Sequence, residues 1–174
     1  MLQYMSGVLA AELKRRVPEH PASEAVLKFS ISFILNTVFV VIFSLILSVF
    51  TGKTSDAITV LIVFAVLRQF SGGIHLRSGV ACVVVSAIGT TLISYADFNY
   101  TWTILLNVVA ILLVLIYAPS NIDKQTRIPK KYYPFLKGIS LVIVGVNFFI
   151  ANPVISAAFL VQGITLVRRW SKRG

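Results

Sequence analysis

A run of 22 residues without a charge, from Phe29 to Phe50, constrains the fold of this 174-residue chain most strongly. It is long enough for a helix to cross the roughly 30 Å hydrocarbon core of a bilayer. Charged residues make up only 13% of the chain, against about 25% in soluble domains, which excludes a soluble globule. Further apolar runs cover residues 57–67, 80–95, 102–118, 138–150 and 154–167. The chain is therefore predicted to be an all-α integral membrane protein with about six transmembrane segments.

The first 24 residues are predicted to form an amphipathic interfacial helix and a linker. Apolar residues recur there at helical spacing, as expected for a helix lying on a membrane surface; they are Leu2, Met5, Leu9 and Leu13. Two prolines follow, and Ser23 before Glu24 is typical of a helix start. Near the other end, Asn152-Pro153 predicts a tight turn between two helices. Residues 25–174 are predicted to form the transmembrane bundle of a single polytopic domain, 1–174.

The distribution of basic residues predicts the topology. If the N-terminus is cytoplasmic and all six segments cross, 15 of the 16 Lys and Arg residues face the cytoplasm and only Lys53 lies outside. The positive-inside rule therefore favours cytoplasmic N- and C-termini in a bacterial cell membrane. The runs 57–67 and 80–95 are short, so a re-entrant pair is the alternative to two full spans. In both cases His75 is expected near the cytoplasmic face.

The net charge of +10 first suggests a nucleic-acid partner. The basic residues, however, lie in short clusters between apolar runs, which fits contact with the lipid bilayer better. No nucleic acid is therefore expected as a partner. One cysteine and two histidines, far apart in sequence, cannot supply a zinc set without carboxylates. Neither a metal nor any other cofactor is predicted.

Two adjacent glycines, two arginines, one of the two histidines and the only cysteine gather around one stretch, Arg68-Gln-Phe-Ser-Gly72-Gly73-Ile-His75, followed by Arg77 and Cys82. A thiol becomes a strong nucleophile when a neighbouring imidazole takes its proton. On one continuous helix, His75 and Cys82 would be about 10 Å apart along the axis, which is too far for a hydrogen bond. A pair of these two residues therefore requires His75 to lie off the helix. Gly72 and Gly73 permit such a reversal because glycine accepts positive φ. The alternatives are a buried apolar cysteine, a solvated interfacial histidine, a plain loop and an arginine that only anchors the helix.

The pattern Arg68-x3-Gly72-Gly73-x-His75-x6-Cys82 resembles the AgrB (accessory gene regulator B-like) family of membrane cysteine peptidases from Gram-positive bacteria. Tyr117-Ala118-Pro119 and the basic loop after it are also similar to that family. The resemblance implies that His75 is the catalytic base and Cys82 the nucleophile. It further implies an AgrD-like pro-peptide substrate, whose acidic C-terminal tail is removed through an acyl-thioester. The remaining peptide then closes to a thiolactone or lactone quorum-sensing signal, and the enzyme is expected to be a homodimer.

Several neighbours are candidates for supporting roles. Arg68, Gly72 and Gly73 match motif positions, Gln69 lies close enough in sequence to orient His75, and Ser86 follows Cys82 by one helical turn. A non-enzymatic membrane transporter or export subunit is the alternative function. A transporter would be expected to carry polar or charged groups near mid-membrane on several helices. Here only Asn36, Asn107, Asn147 and scattered Ser and Thr do so, and no acid lies in the middle of a span. A further alternative is a family member whose peptide is unrelated to quorum sensing.

Overall fold

The computed structural model describes residues 2–19, 21–74, 78–120, 122 and 128–167. Apart from one isolated bridge between Gly72 and Ser120, the regular elements of these residues are helical. The seven α-helices are α1 (Leu2–Arg16), α2 (Glu24–Thr51), α3 (Thr54–Ser71), α4 (Gly79–Ile93), α5 (Tyr100–Tyr117), α6 (Tyr133–Ile150) and α7 (Pro153–Leu166). A short 3-10 turn, Lys130–Tyr132, leads into α6. The all-α prediction is confirmed for this part of the chain.

Helix length separates two groups of helices. By length and composition α2, α3, α5, and α6 with its preceding turn can cross a membrane. The α3 helix reaches this length because it extends beyond the apolar run 57–67 at both ends. In contrast, α4 and α7 have 15 and 14 residues, so each spans about 21–22 Å. Six crossings and the orientation of the termini therefore stay predictions.

Local capping chemistry explains the helix ends that the sequence predicts. The Ser23 side chain caps α2 by accepting a hydrogen bond from the backbone N–H of Val26. Asn152 caps α7 in the same way, accepting from the N–H of Ile155 at 3.1 Å. The residue before it, Ala151, ends α6 in the left-handed region with φ 52°. Both the helix start at Ser23 and the turn at Asn152-Pro153 are confirmed.

The chain forms two compact units. Unit 1 consists of residues 1–52 and 75–91, and it contains α1, α2 and most of α4. Here α1 packs against α2, and Ser6 and Ala10 are the fully buried residues of α1. The apolar residues Leu9 and Leu13 stay exposed. Small residues thus bury one side of α1, and its larger apolar side chains remain available to lipid.

Unit 2 consists of residues 53–74 and 92–174. Its helix α7 packs against α5 and α3, and α6 packs against the same two helices. The core contains Leu67, Ala110, Val114, Val144, Phe159 and Leu166. Close approach of α7 to α5 occurs at Gly163, where an added Cβ would lie 3.1 Å from the Cβ of Leu113. The single-domain prediction for residues 1–174 stays a prediction.

Candidate active site

Cys82 lies in the first turn of α4, as the sequence predicts. Its backbone N–H donates to the carbonyl oxygen of Ser78 at 2.9 Å, and the Ser78 side chain accepts from the N–H of Ala81. The cysteine is half-buried. Ser86 is half-buried on the same helix and follows Cys82 by four residues, which places both side chains on one face. Position alone therefore keeps Ser86 a candidate.

An asparagine on α2 contacts the thiol. The amide nitrogen Nδ2 of Asn36 donates to Cys82 Sγ at 3.5 Å. Asn36 is 8% exposed, and its Oδ1 is buried without a hydrogen-bond partner among the described residues. Asn36 on α2 thus faces α4. The contact of Asn36 with Cys82 is not predicted from the sequence, although an amide within a long apolar run indicates a polar contact.

The surroundings of this pair are apolar. A cavity of about 420 Å³ lies between α2 and α4, and its lining includes Phe39 and Phe43 from α2 and Val80, Val83 and Val84 from α4. These valines flank Cys82 in sequence, and Phe39 follows Asn36 by almost one helical turn. In such a medium an anion is poorly solvated, so a hydrogen-bond donor beside it counts for more than it would in water.

The glycine pair of unit 2 has the positive φ angles that the predicted reversal requires. Gly72 has φ 75° and Gly73 has φ 130°, a region that favours glycine. The N–H of Gly73 donates to the carbonyl of Ser120 at 2.9 Å, and the N–H of Ile74 donates to the carbonyl of Thr165 at 3.1 Å. The chain is thus bonded to two distant segments immediately before it reaches residue 75.

A buried glutamine holds the same turn. Gln162 on α7 is fully buried, and its Nε2 donates to the carbonyl of Gly72 at 2.8 Å and to Ser71 Oγ at 3.1 Å. Its Oε1 accepts from the Thr165 hydroxyl at 3.2 Å. The role of Gln162 is not predicted from the sequence, although an amide within the apolar run 154–167 indicates a polar contact.

The two remaining candidates lie at the end of α3. Arg68 is half-buried, and its Nη2 donates to the carbonyl oxygen of Ile74 at 2.8 Å. It therefore closes the glycine turn as well as carrying charge. Gln69 is exposed on the same helix. His75 lies outside the described residues, so the expected pairing of His75 with Cys82 stays a prediction.

The described residues divide these candidates between the units. Arg68, Gln69, Gly72 and Gly73 belong to unit 2, whereas Cys82 and Ser86 belong to unit 1. Within the ranges that the structure describes, no group of three or more His, Cys, Asp and Glu side chains is arranged to hold a metal ion. What the geometry offers is a thiol at a helix start with an amide donor, and a rigidly bonded turn before the histidine.

Comparison with known proteins decides the family. The family model described as "Accessory gene regulator B" matches residues 4–167. The chain belongs to the accessory gene regulator B family. It is 29% identical over 168 residues to an AgrB-like protein of Halalkalibacterium halodurans, covering 95% of this chain and 84% of that protein. It is 23% identical over 151 residues to accessory gene regulator protein B of Staphylococcus aureus, covering 80% of each chain. No solved structure matches.

This result confirms the resemblance that the Arg68 to Cys82 pattern carries. Membership in the AgrB family, together with four helices able to cross a membrane, fits the predicted membrane localisation. The match extends from α1 to the end of α7. The match therefore covers most of both units, and not the motif alone.

Proposed function

We propose that this chain is a membrane cysteine endopeptidase that removes the C-terminal tail of a small pro-peptide and promotes cyclisation of the rest. The observation that carries the proposal is the AgrB family match over residues 4–167, which includes a lone cysteine in the first turn of a helix. Cys82 acts as the nucleophile and His75 as the base. The product is a cyclic quorum-sensing signal.

The first step forms a thioester. His75 takes the proton of the Cys82 thiol, and the thiolate attacks the carbonyl carbon of the scissile peptide bond. A C–S bond forms and the C–N bond breaks. The imidazolium returns its proton to the amine of the departing tail. The N-terminal part of the peptide is then held on Cys82 as an acyl group.

The second step releases the peptide as a ring. A thiol or hydroxyl side chain within the bound peptide loses its proton to His75 and attacks the thioester carbonyl. The new C–S or C–O bond closes the ring, the bond to Cys82 breaks, and the sulfur recovers the proton. The apolar cavity beside Cys82 would limit water, which favours internal attack over hydrolysis.

Charge supports the substrate class. The chain has 16 basic and 6 acidic residues, and the proposed topology puts nearly all the basic ones on the cytoplasmic side. A surface of this sign would attract a peptide with an acidic tail. We therefore propose an AgrD-like pro-peptide as the substrate, a cytoplasmic entry side and an enzyme that works as a homodimer in the bilayer.

The test compares variants co-expressed with a short AgrD-like pro-peptide. Mass spectrometry of the peptide measures loss of the tail and ring closure. Wild type should give the cyclic product, and Cys82→Ala and His75→Ala should reduce cleavage by at least about 100-fold, within the range of general-base contributions. A peptide adduct should map to Cys82 in wild type.

The matched control is His20→Ala, which removes the other histidine of the chain and should cleave like wild type. Cleavage by Cys82→Ala at the wild-type rate would refute the peptidase proposal. Mainly linear, hydrolysed product in a bilayer would refute the cyclisation step alone.

A further inference from the structure

Asparagine side chains buried inside this protein fall into two kinds. In unit 2, Asn147 Nδ2 donates to Asn107 Oδ1 at 3.4 Å and to Ser156 Oγ at 2.7 Å, and its Oδ1 accepts from the N–H of Asn152. Asn107 in turn donates to the carbonyl of Val144 at 3.1 Å. Both amides use their donor and acceptor atoms, which is how buried polar groups normally stabilise a fold.

Asn36 differs from both. Its Nδ2 donates to the sulfur of Cys82, and its Oδ1 is buried without a partner among the described residues. An unpaired buried carbonyl destabilises the folded state, and an apolar residue would avoid that cost in this apolar run. Packing therefore does not explain an amide at this position. The contact it does make is with the one thiol of the chain.

The contact between the amide and the sulfur has a chemical explanation. A thiolate in an apolar site lacks the water that would solvate it, and residues that flank Cys82 in sequence line an apolar cavity. A hydrogen bond from an N–H group favours the charged form instead. We propose that Asn36 is a further residue of the catalytic centre, whose amide N–H stabilises the Cys82 thiolate before and after acyl transfer. The inference rests on the proposed role of Cys82 as nucleophile.

The position of Asn36 suits this role. It lies in the 28-residue helix α2, on a long and regular element, which fixes the amide better than a loop would. The donor reaches the sulfur from α2, and the predicted base His75 comes from the segment that precedes α4. The acid–base function and the anion-stabilising function are thus assigned to different parts of the chain.

The test measures the thiol directly, without substrate. Purified protein is treated with iodoacetamide over a range of pH, and mass spectrometry gives the alkylation rate of Cys82. In Asn36→Leu and Asn36→Ala, the alkylation rate of Cys82 at neutral pH should fall about ten-fold. The plateau rate at high pH should stay near that of wild type.

Ser44→Ala is the matched control. Ser44 is on the same helix, is fully buried and has no partner for its hydroxyl among the described residues, so its removal should leave the profile unchanged. Tail cleavage should fall with the alkylation rate in the Asn36 variants and stay at the wild-type level in Ser44→Ala.

Two results would overturn the inference. One is an alkylation rate at neutral pH that does not fall in either Asn36 variant, or that falls equally at high pH, since an equal fall reports access of the reagent to the thiol. The other is a fall at neutral pH in Ser44→Ala as large as that in Asn36→Ala. Failure of wild type to cleave the peptide would refute the proposed function instead, because the alkylation profile does not depend on turnover.

Discussion

The two units treat buried polar groups in opposite ways. In unit 2 the amides of Asn107, Asn147 and Gln162 are bonded to other helices or to the glycine turn. In unit 1 the buried side-chain atoms that lack partners, within the described ranges, are Asn36 Oδ1 and Ser44 Oγ. A fully bonded network adds stability and fixes geometry, whereas an unpaired group lowers stability. Unit 2 therefore has the character of a scaffold, whereas unit 1 contains buried polar atoms that lower its stability.

Gly72→Ala should have the largest effect on the scaffold. An added Cβ would lie 2.1 Å from the backbone oxygen of Ser120, so the bonded segments must separate. Together with the positive φ, this should cost at least about 3 kcal/mol and abolish tail cleavage. Thermal denaturation of the protein in detergent micelles measures the loss.

Gly52→Ala is the matched control for that substitution. Gly52 has nearly the same φ, 70°, but nothing lies within 4 Å of its added Cβ. It should lose only the left-handed backbone cost of about 1–2 kcal/mol. Equal losses in the two variants would mean that the contact with Ser120 does not matter.

The glycine turn also marks how far the sequence alone can predict this structure. Helix positions, the caps at Ser23 and Asn152 and the reversal at Gly72-Gly73 are predictable because each depends on residues close together in the chain. The partners are not. Gln162 contacts Gly72 across 90 residues. Which faces of two apolar helices meet depends on their rotation and tilt, and the composition of an apolar run does not encode those quantities.

The thiol site illustrates the same limit. Cys82 and its place one turn inside α4 are predictable from the spacing after Gly72-Gly73. The contact with Asn36, 46 residues earlier, is not, because it requires α2 and α4 to face each other at one particular level. An amide in the middle of an apolar helix indicates a polar contact, but it does not indicate the partner.

Asn147→Leu should destabilise the protein next most strongly. It removes the bonds to Asn107, Ser156 and the backbone of Asn152, and the remaining buried atoms lose their partners. The expected loss in unfolding free energy is about 2–3 kcal/mol, measured by the same denaturation assay. Asn36→Leu should lose less, because it removes one hydrogen bond, to Cys82 Sγ, together with an unpaired carbonyl. A larger loss in Asn36→Leu than in Asn147→Leu would reverse the contrast between the units.

Gln162→Leu should separate geometry from stability. The carbonyl of Gly72 and the Ser71 hydroxyl lose a donor, at a cost of about 1–2 kcal/mol. The kcat for cleavage should fall about ten-fold or more, with little change in KM, because the turn leads directly to His75. This loss should be larger than the loss of stability alone would cause. Steady-state cleavage by purified protein measures both constants.

Ser140→Ala serves as the control for Gln162→Leu. Ser140 is fully buried, but its hydroxyl donates only to Leu136 within its own helix, so kcat should not change. An increase in KM with an unchanged kcat in Gln162→Leu would contradict a positioning role.

Gly163→Ala should have the smallest effect. The added Cβ meets the Cβ and Cδ1 of Leu113 at 3.1 Å, so α5 and α7 must move slightly apart, at about 1 kcal/mol. Gly145→Ala, in open space within α6, should instead stabilise the protein by about 0.5–1 kcal/mol. Stabilisation by both would mean that the close approach of α7 to α5 is not needed.

The hydrogen-bonded turn before residue 75 also restricts how many residues this segment can contain. Backbone groups from Ser71 to Ile74 have partners at fixed distances, namely Ser71 O, Gly72 N and O, Gly73 N, and Ile74 N and O. Most connecting segments tolerate one residue more or less, because slack elsewhere absorbs the change. Here an insertion or deletion would shift each later bond by one position and send the chain out in another direction. The number of residues between the glycine pair and the histidine is thus fixed, and redesign of this protein must keep it while altering side chains.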